Sequence, residues 1–237
     1  MSTGRLWHPD RFRVPATEQN RGVSTPVDFV RSHTRLAPVP MLPEILLHQA
    51  DDPIALWERT EAGGAEQPPP FWAFAWAGGQ ALARHVLDDP DLVAGRAVLD
   101  LATGSGLVAV AAARAGGRPV TANDIDPFSL AAAQANAVAN GVRVEPVEGD
   151  LLGGGYDPAG VVLAGDVFYS REMAGRVLPF LRGAAGRGAL VLVGDPGRAY
   201  LPVEGLVRRA EYDIPVNPEL EGVPVRRTSV WQVLASA

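Results

Sequence analysis

From residue 97 onward, short apolar runs alternate with alanine-rich stretches of helical length. The runs over 97–101, 119–123, 142–147, 160–164 and 189–193 read as strands. The first of these carries no polar residue until Asp100, as expected of a strand covered on both faces. The stretches 105–114, 126–140 and 171–181 read as helices, and 79–87 as a helix ahead of the first strand. Asp126-Pro127 opens one helix and Gly141 closes it, while Gly116-Gly117 stops the helix before it. Two late runs, 211–216 and 228–234, follow one another without a helix between them, so the last strand is expected to run antiparallel. Strand–helix alternation of this kind predicts an α/β fold built on a doubly wound, mostly parallel sheet.

Residues 1–70 break this rhythm. Pro9, Pro15, Pro26, Pro38, Pro40, Pro43 and Pro53 interrupt any long helix. A short helix is predicted over 52–62, with Asp52 as N-cap, Pro53 at its first position and Gly63-Gly64 at its end. Pro68-Pro69-Pro70 reads as a stiff spacer. The chain thus divides into a proline-rich extension or substrate lid, 1–70, and a main domain, 71–237.

Composition narrows the chemistry. Hydrophobic residues make up 47 %, enough for a large core. There is no cysteine, and the four histidines lack metal-ligand spacing, so no metal site is expected. A net charge of −6 argues against nucleic acid as a partner. No run approaches the roughly 18 apolar residues of a membrane span, and residues 1–20 are polar, unlike a signal peptide. The cytoplasm is the expected location.

The candidate site begins at Val98-Leu99-Asp100-Leu101-Ala102-Thr103-Gly104-Ser105-Gly106. A strand runs into a turn of small residues and then into a helix N-terminus, the usual seat of a nucleotide-like ligand. Asp100 just before the turn would repel a pyrophosphate and suits a cation such as the sulfonium of S-adenosylmethionine. Asp124 lies 20 positions after Gly104, where an acid reaches ribose hydroxyls. Asp126 reads as a helix cap. Asp150 ends the third strand and reads either as an acceptor for an adenine amino group or as a turn residue. Gly104-x-Gly106-x-x-Ala109 with Asp124 also fits a nicotinamide-dinucleotide fingerprint. Three features favour S-adenosylmethionine over it: Asp100, the roughly 95 residues ahead of the first strand, and the end of the fourth strand, Gly165-Asp166-Val167-Phe168-Tyr169.

These motifs resemble the class I S-adenosylmethionine-dependent methyltransferases. More narrowly, 70–84 with its run Phe71-Trp72-Ala73-Phe74-Ala75-Trp76-Ala77-Gly78-Gly79, together with Asp124-Ile125-Asp126-Pro127, Asn136-Ala137 and Gly165-Asp166-Val167-Phe168-Tyr169, resembles the electron transfer flavoprotein β-subunit lysine methyltransferases and the related ribosomal protein L11 methyltransferases. The likeness covers about residues 38–235. It implies a Rossmann-like sheet of seven strands in order 3-2-1-4-5-7-6, strand 7 antiparallel. It implies S-adenosylmethionine as cofactor, held by Trp76, Gly78, Asp100, Ala102, Thr103, Gly104, Ser105, Gly106, Asp124, Ile125, Asp150, Leu151 and Gly165. Ala102 departs from the glycine usual in the family. Asp166 and Tyr169 match an acid-x-x-aromatic motif and are the implied catalytic pair, Asp166 as an acceptor that orients the substrate amine. Trp72 and Phe168 are candidate channel walls, and Asn136 is a family signature without a derivable role. Glu44 reads as a surface acid. The implied activity is methylation of lysine in a protein such as the flavoprotein β-subunit. A small-molecule amine as acceptor, or a binding module without turnover, stays open.

Overall fold

The computed structural model describes residues 25–61, 69–154 and 160–235. Residues 1–24, Pro68 and the Gly63-Gly64 stop lie outside the described residues. Among the described residues, the prolines Pro26, Pro38, Pro43 and Pro53 occupy places where a missing N–H costs little. Pro26 opens α1 (Pro26–His33) behind Thr25, whose hydroxyl accepts the Asp28 N–H while Asp28 accepts the Thr25 N–H, a reciprocal cap. Pro38 and Pro43 lie in an antiparallel hairpin that the sequence pattern did not predict, β1 (Arg35–Val39) and β2 (Leu42–Gln49). Pro53 opens α2 (Pro53–Glu61), the predicted short helix.

The hairpin docks on helices. Val39, Leu42, Ile45 and Leu47 are buried in one core with residues of α3 (Ala77–Asp88) and α4 (Leu107–Arg114). The open edge of β2 finds partners on α5 (Pro127–Ala139) and on the Asn140 that follows it. Asn140 Oδ1 accepts the Leu46 N–H at 3.0 Å, and its Nδ2 donates to the Leu46 carbonyl at 2.6 Å. Asn136 Oδ1 accepts the His48 N–H at 2.7 Å. Side-chain amides thus do for this strand what a neighbouring strand would do.

The main sheet contains β3 (Val98–Leu101), β4 (Val120–Asp124), β5 (Glu145–Glu148), β6 (Val161–Gly165), β7 (Leu190–Asp195), β8 (Leu206–Pro215) and β9 (Val225–Val233). Its order is β5-β4-β3-β6-β7-β9-β8, with β9 antiparallel to both neighbours. Counted from β3, this is the expected 3-2-1-4-5-7-6. Side chains alternate between two cores. Val98, Val161, Leu163 and Leu192 face α3 and α4. Leu99, Leu101, Val162 and Val191 face α6 (Arg171–Gly186).

Some boundaries move. The helix predicted to stop at 181 runs to Gly186, carried past Pro179 by the buried Val177, Leu181 and Ala184 on one face. β5 starts at Glu145, where its pairing with Thr121 of β4 begins. The late strands are longer than predicted because they pair with each other over nearly their whole length, with a short helix α7 (Pro218–Glu221) between them. Among the described residues, no helix is long and apolar enough to cross a membrane.

Candidate active site

The turn after β3 is made by left-handed residues: Ala102 (φ 54°), Gly104 (φ 52°) and Gly106 (φ 76°). A Cβ on Gly106 would stand 2.6 Å from the Ala133 Cα, so glycine lets the start of α4 lie against α5. Ala102 takes its left-handed conformation without that excuse, at the position where the family usually has glycine. Asn136 now has a role: its Nδ2 donates to the Ser105 carbonyl at 2.8 Å while its Oδ1 holds β2, so one buried amide ties the turn to the hairpin.

Asp100 lies beneath this turn. It accepts the Thr103 hydroxyl at 2.5 Å and the Ala109 N–H at 2.9 Å. Complete burial pushes its carboxyl up to about 7, against the pull of those two bonds.

A cavity of about 430 Å³ opens at the carboxyl ends of β3, β4 and β6. Trp76, Ala102, Gly104, Asp124, Ile125, Asp150, Leu151, Gly165, Asp166 and Tyr169 line it. Of the other residues implied by the resemblance, Asp100, Thr103, Ser105, Gly106 and Gly78 do not form its wall; the first four build the turn behind it. Asp124 Oδ2 accepts the Gly104 N–H at 3.0 Å, closing the 20-residue spacing, and Oδ1 accepts the Asp126 N–H at 3.1 Å. Burial raises its pKa. Asp126 caps α5 by accepting the Phe128 N–H, as its sequence predicts. Asp150 is half exposed, accepts the Leu152 N–H, and pairs with Arg176, which lowers its pKa. Ile125 is 72 % exposed, an apolar face left open at the lip.

These residues fit S-adenosylmethionine better than a dinucleotide. The N–H groups of Gly104 and Ala109, which a pyrophosphate needs, already go to carboxylates. Asp124 lines the cavity and keeps acceptor capacity for hydroxyl groups. Ile125 and Leu151 offer apolar surface for a base.

The opposite wall comes from the end of β6, the segment after β7 and the residues ahead of α3. Asp166 follows β6 in a left-handed conformation (φ 56°). Its Oδ2 accepts the Gly79 N–H at 2.9 Å, and its Oδ1 accepts Arg198 Nη2 at 2.8 Å and Nε at 3.2 Å. Burial outweighs these partners and pushes its carboxyl up to about 6. The contact requires glycine: a Cβ on Gly78 would meet the Gly194 carbonyl oxygen at 2.2 Å and Asp166 Oδ2 at 2.6 Å. Gly78 therefore acts by letting α3 approach the sheet. Ser170 caps α6 by accepting the Met173 N–H. Phe71, Trp76 and Tyr169 form an aromatic rim, with ring centroids 5.9 Å apart for Phe71 and Trp76 and 6.1 Å for Phe71 and Tyr169. Burial and the neighbouring Asp124 and Glu172 raise the Tyr169 phenol.

Two expected channel walls are core instead. Trp72 is buried and stacks on Phe128, because 71–73 form a 3-10 turn that sends only Phe71 outward, and Phe168 is fully buried in the core on the α6 side of the sheet. Glu44 pairs with Arg84 at 2.6 Å on the hairpin and does not line the cavity. Sequence reasoning missed Arg198. Its only signal, Asp195-Pro196-Gly197-Arg198 after a strand, reads as a turn. Asp195 Oδ1 in fact accepts the Gly197 and Arg198 N–H groups, both at 2.7 Å, and turns the arginine toward the cavity.

A family model described as ribosomal protein L11 methyltransferase (PrmA) matches residues 81–164. The chain is 33 % identical over 219 residues to the electron transfer flavoprotein beta subunit lysine methyltransferase of Xenopus laevis, covering 90 % of this chain and 89 % of that protein. It is 37 % identical over 171 residues to the Danio rerio protein of the same name, covering 70 % of this chain and 66 % of that one. A solved structure from the conversion of a disulfide bond into a thioacetal group during echinomycin biosynthesis shares the fold, with a TM-score of 0.51 and 17 % identity over 77 % of this chain and 94 % of that one.

Proposed function

The chain belongs to the electron transfer flavoprotein β-subunit lysine methyltransferase family, a family of S-adenosylmethionine-dependent enzymes, and on that premise we propose that it methylates lysine side chains of an electron transfer flavoprotein β-subunit. One observation carries the reading: an acid suited to ribose hydroxyls, Asp124, and an acid-and-aromatic pair suited to an amine, Asp166 and Tyr169, line the same cavity.

S-adenosylmethionine, when bound, would supply an electrophilic methyl group open to in-line attack by a neutral amine, with the thioether as leaving group. Asp124, Asp150, Ile125 and Leu151 hold the nucleoside part, and the turn braced by Asp100 fixes Gly104 against it. Alignment of the amine with the methyl is worth roughly 7–11 kcal/mol. Asp166 accepts an amine N–H and so directs the nitrogen lone pair. Phe71, Trp76 and Tyr169 surround the aliphatic stem and present ring faces to the cation that forms. A free lysine, of pKa about 10.4, is about three units too protonated near neutral pH, a cost of about 4 kcal/mol that the site must offset. The net charge of −6 favours a protein amine over a nucleic acid as acceptor.

The test is direct. All 21 basic residues of this chain other than histidine are arginine, so any methylated lysine must come from the substrate. The protein is incubated with methyl-labelled S-adenosylmethionine and the flavoprotein β-subunit, and peptides are read by mass spectrometry. Label on β-subunit lysines is expected. Label only in added small amines, or none at all, overturns the proposal.

A further inference from the structure

We propose that Arg198 is a positioning residue whose fixed charge lets Asp166 orient the acceptor amine without holding it as an unreactive ammonium. The inference rests on the reading that Asp166 faces the amine. A bare carboxylate is a poor choice for that task. It would bind a lysine ammonium as an ion pair and raise its pKa, opposing the deprotonation that methyl transfer requires.

Arg198 removes the conflict. It grips Asp166 Oδ1 through Nη2 at 2.8 Å and Nε at 3.2 Å. Its Nη2 also reaches Glu221 Oε1 at 3.1 Å, and the guanidinium lies 5.9 Å from the Trp76 ring centroid. Asp195 pins its backbone from below. The side chain is held from three sides yet still lines the cavity, so its charge faces whatever enters. Glu221 is itself shared with Arg226 at 3.3 Å, and Asp195 adds a third acid beside Arg198, so three acids share two arginines here. Among the described residues, the other charged groups facing the cavity are Asp124 and Asp126 at the end of β4, and Asp150 with its partner Arg176; burial raises the Tyr169 phenol. An arginine suits this place because it does not lose its proton, whereas a lysine near a methyl donor would itself be an acceptor.

The step balances. The substrate ammonium gives one proton to water, and the amine nitrogen forms the N–C bond as the C–S bond breaks, its electron pair passing to sulfur. The product leaves as a methylated ammonium beside S-adenosylhomocysteine.

The experiment is the pH dependence of kcat/KM for lysine methylation in the wild type, Arg198→Gln, Arg198→Lys and Glu221→Gln, with a carbon-13 NMR titration of the Asp166 carboxyl in the cofactor-free proteins. Arg198→Gln is expected to move the rising limb up by about one pH unit, an approximately tenfold loss near neutrality that is recovered at high pH. Arg198→Lys keeps a positive charge but not the two-nitrogen grip on Asp166, and restores only part of it. Glu221→Gln, which removes an anion, moves the limb the opposite way and keeps the proposal testable if Arg198→Gln fails to fold. The Asp166 titration rises in Arg198→Gln. A loss equal at every pH, limbs that do not move in opposite directions, or an unchanged Asp166 titration overturns the proposal. If the wild type labels no lysine, the functional reading fails, and the NMR arm still decides whether Arg198 controls Asp166.

Discussion

On the β4 side of the cavity, Asp124 is bonded to the backbone N–H groups of Gly104 and Asp126, 20 and 2 residues away. On the β6 side, Asp166 is bonded to the Gly79 N–H, 87 residues away, and to the Arg198 side chain, 32 residues away. The first wall is a local device: turn, strand end and helix start satisfy one another within a single βαβ unit. The second is assembled from α3, β6 and the segment after β7, with Glu221 of α7 behind it, and exists only once the whole sheet has formed. On the function proposed above, the first wall would meet the invariant part of the reaction, the cofactor, and the second the acceptor, the part that differs between enzymes of one fold.

The strongest way to break this contrast is at the glycines. Gly78→Ala places a Cβ 2.2 Å from the Gly194 carbonyl oxygen, where backbone meets backbone and neither can give way. A loss of about 3 kcal/mol or more in unfolding free energy is expected, with the Asp166 contact displaced. Gly104→Ala on the cofactor side meets nothing within 4 Å and carries only the cost of a left-handed alanine (φ 52°), about 1 kcal/mol. Urea midpoints of the two variants check this. Equal losses would mean that the α3 approach is not the tight joint described here.

Binding sharpens the contrast further. Asp124→Ala is expected to weaken S-adenosylhomocysteine by ten- to a hundredfold, about 1.4–2.8 kcal/mol, measured by calorimetry. Asp166→Asn should leave that affinity within about threefold, since losing a hydrogen bond to bound ligand costs about 1 kcal/mol or more and no such bond to the cofactor is assigned to it. A large loss in Asp166→Asn would move it from the amine side to the cofactor side.

The same distinction decides what could be read from the chain. The strand–helix alternation, the Gly104–Asp124 spacing and the Asp126 cap are set by residues near one another in sequence, and each was legible; the strand order came from the resemblance. The hairpin 35–49 was not, because Pro38, Pro40 and Pro43 hide its alternation and its edge is completed by Asn136 and Asn140, some 90 residues on. Arg198 looked like part of a turn, and its charge acquires meaning only through Asp166 and Glu221. The run of aromatics misled for a related reason: a 3-10 turn at 71–73 sends Trp72 inward and Phe71 outward, and no period in the sequence announces it.

Asp100 gives the subtlest test, because it belongs to the local wall but carries no visible contact with the cavity. Its folded pKa of about 7 lies above the ordinary 3.8. A carboxyl raised in this way is harder to ionise in the native state than in the unfolded chain. Its contribution to stability is therefore complete below pH 4 and is lost as pH rises toward and through 7. Between pH 6 and 8 the loss is about 1.4 kcal/mol for a group titrating at about 7. Asp100→Asn cannot ionise, so its stability relative to the wild type should improve by that amount over the same interval. Urea unfolding of both proteins at pH 6 and pH 8 measures the difference, and the contributions of Asp124, Asp166 and Asp195 largely cancel in the comparison. An unchanged difference would show that Asp100 is already ionised at pH 6. The turn would then rest on a buried anion facing the start of α4, and the cavity would present one more negative charge to a sulfonium than the neutral form of Asp100 supplies.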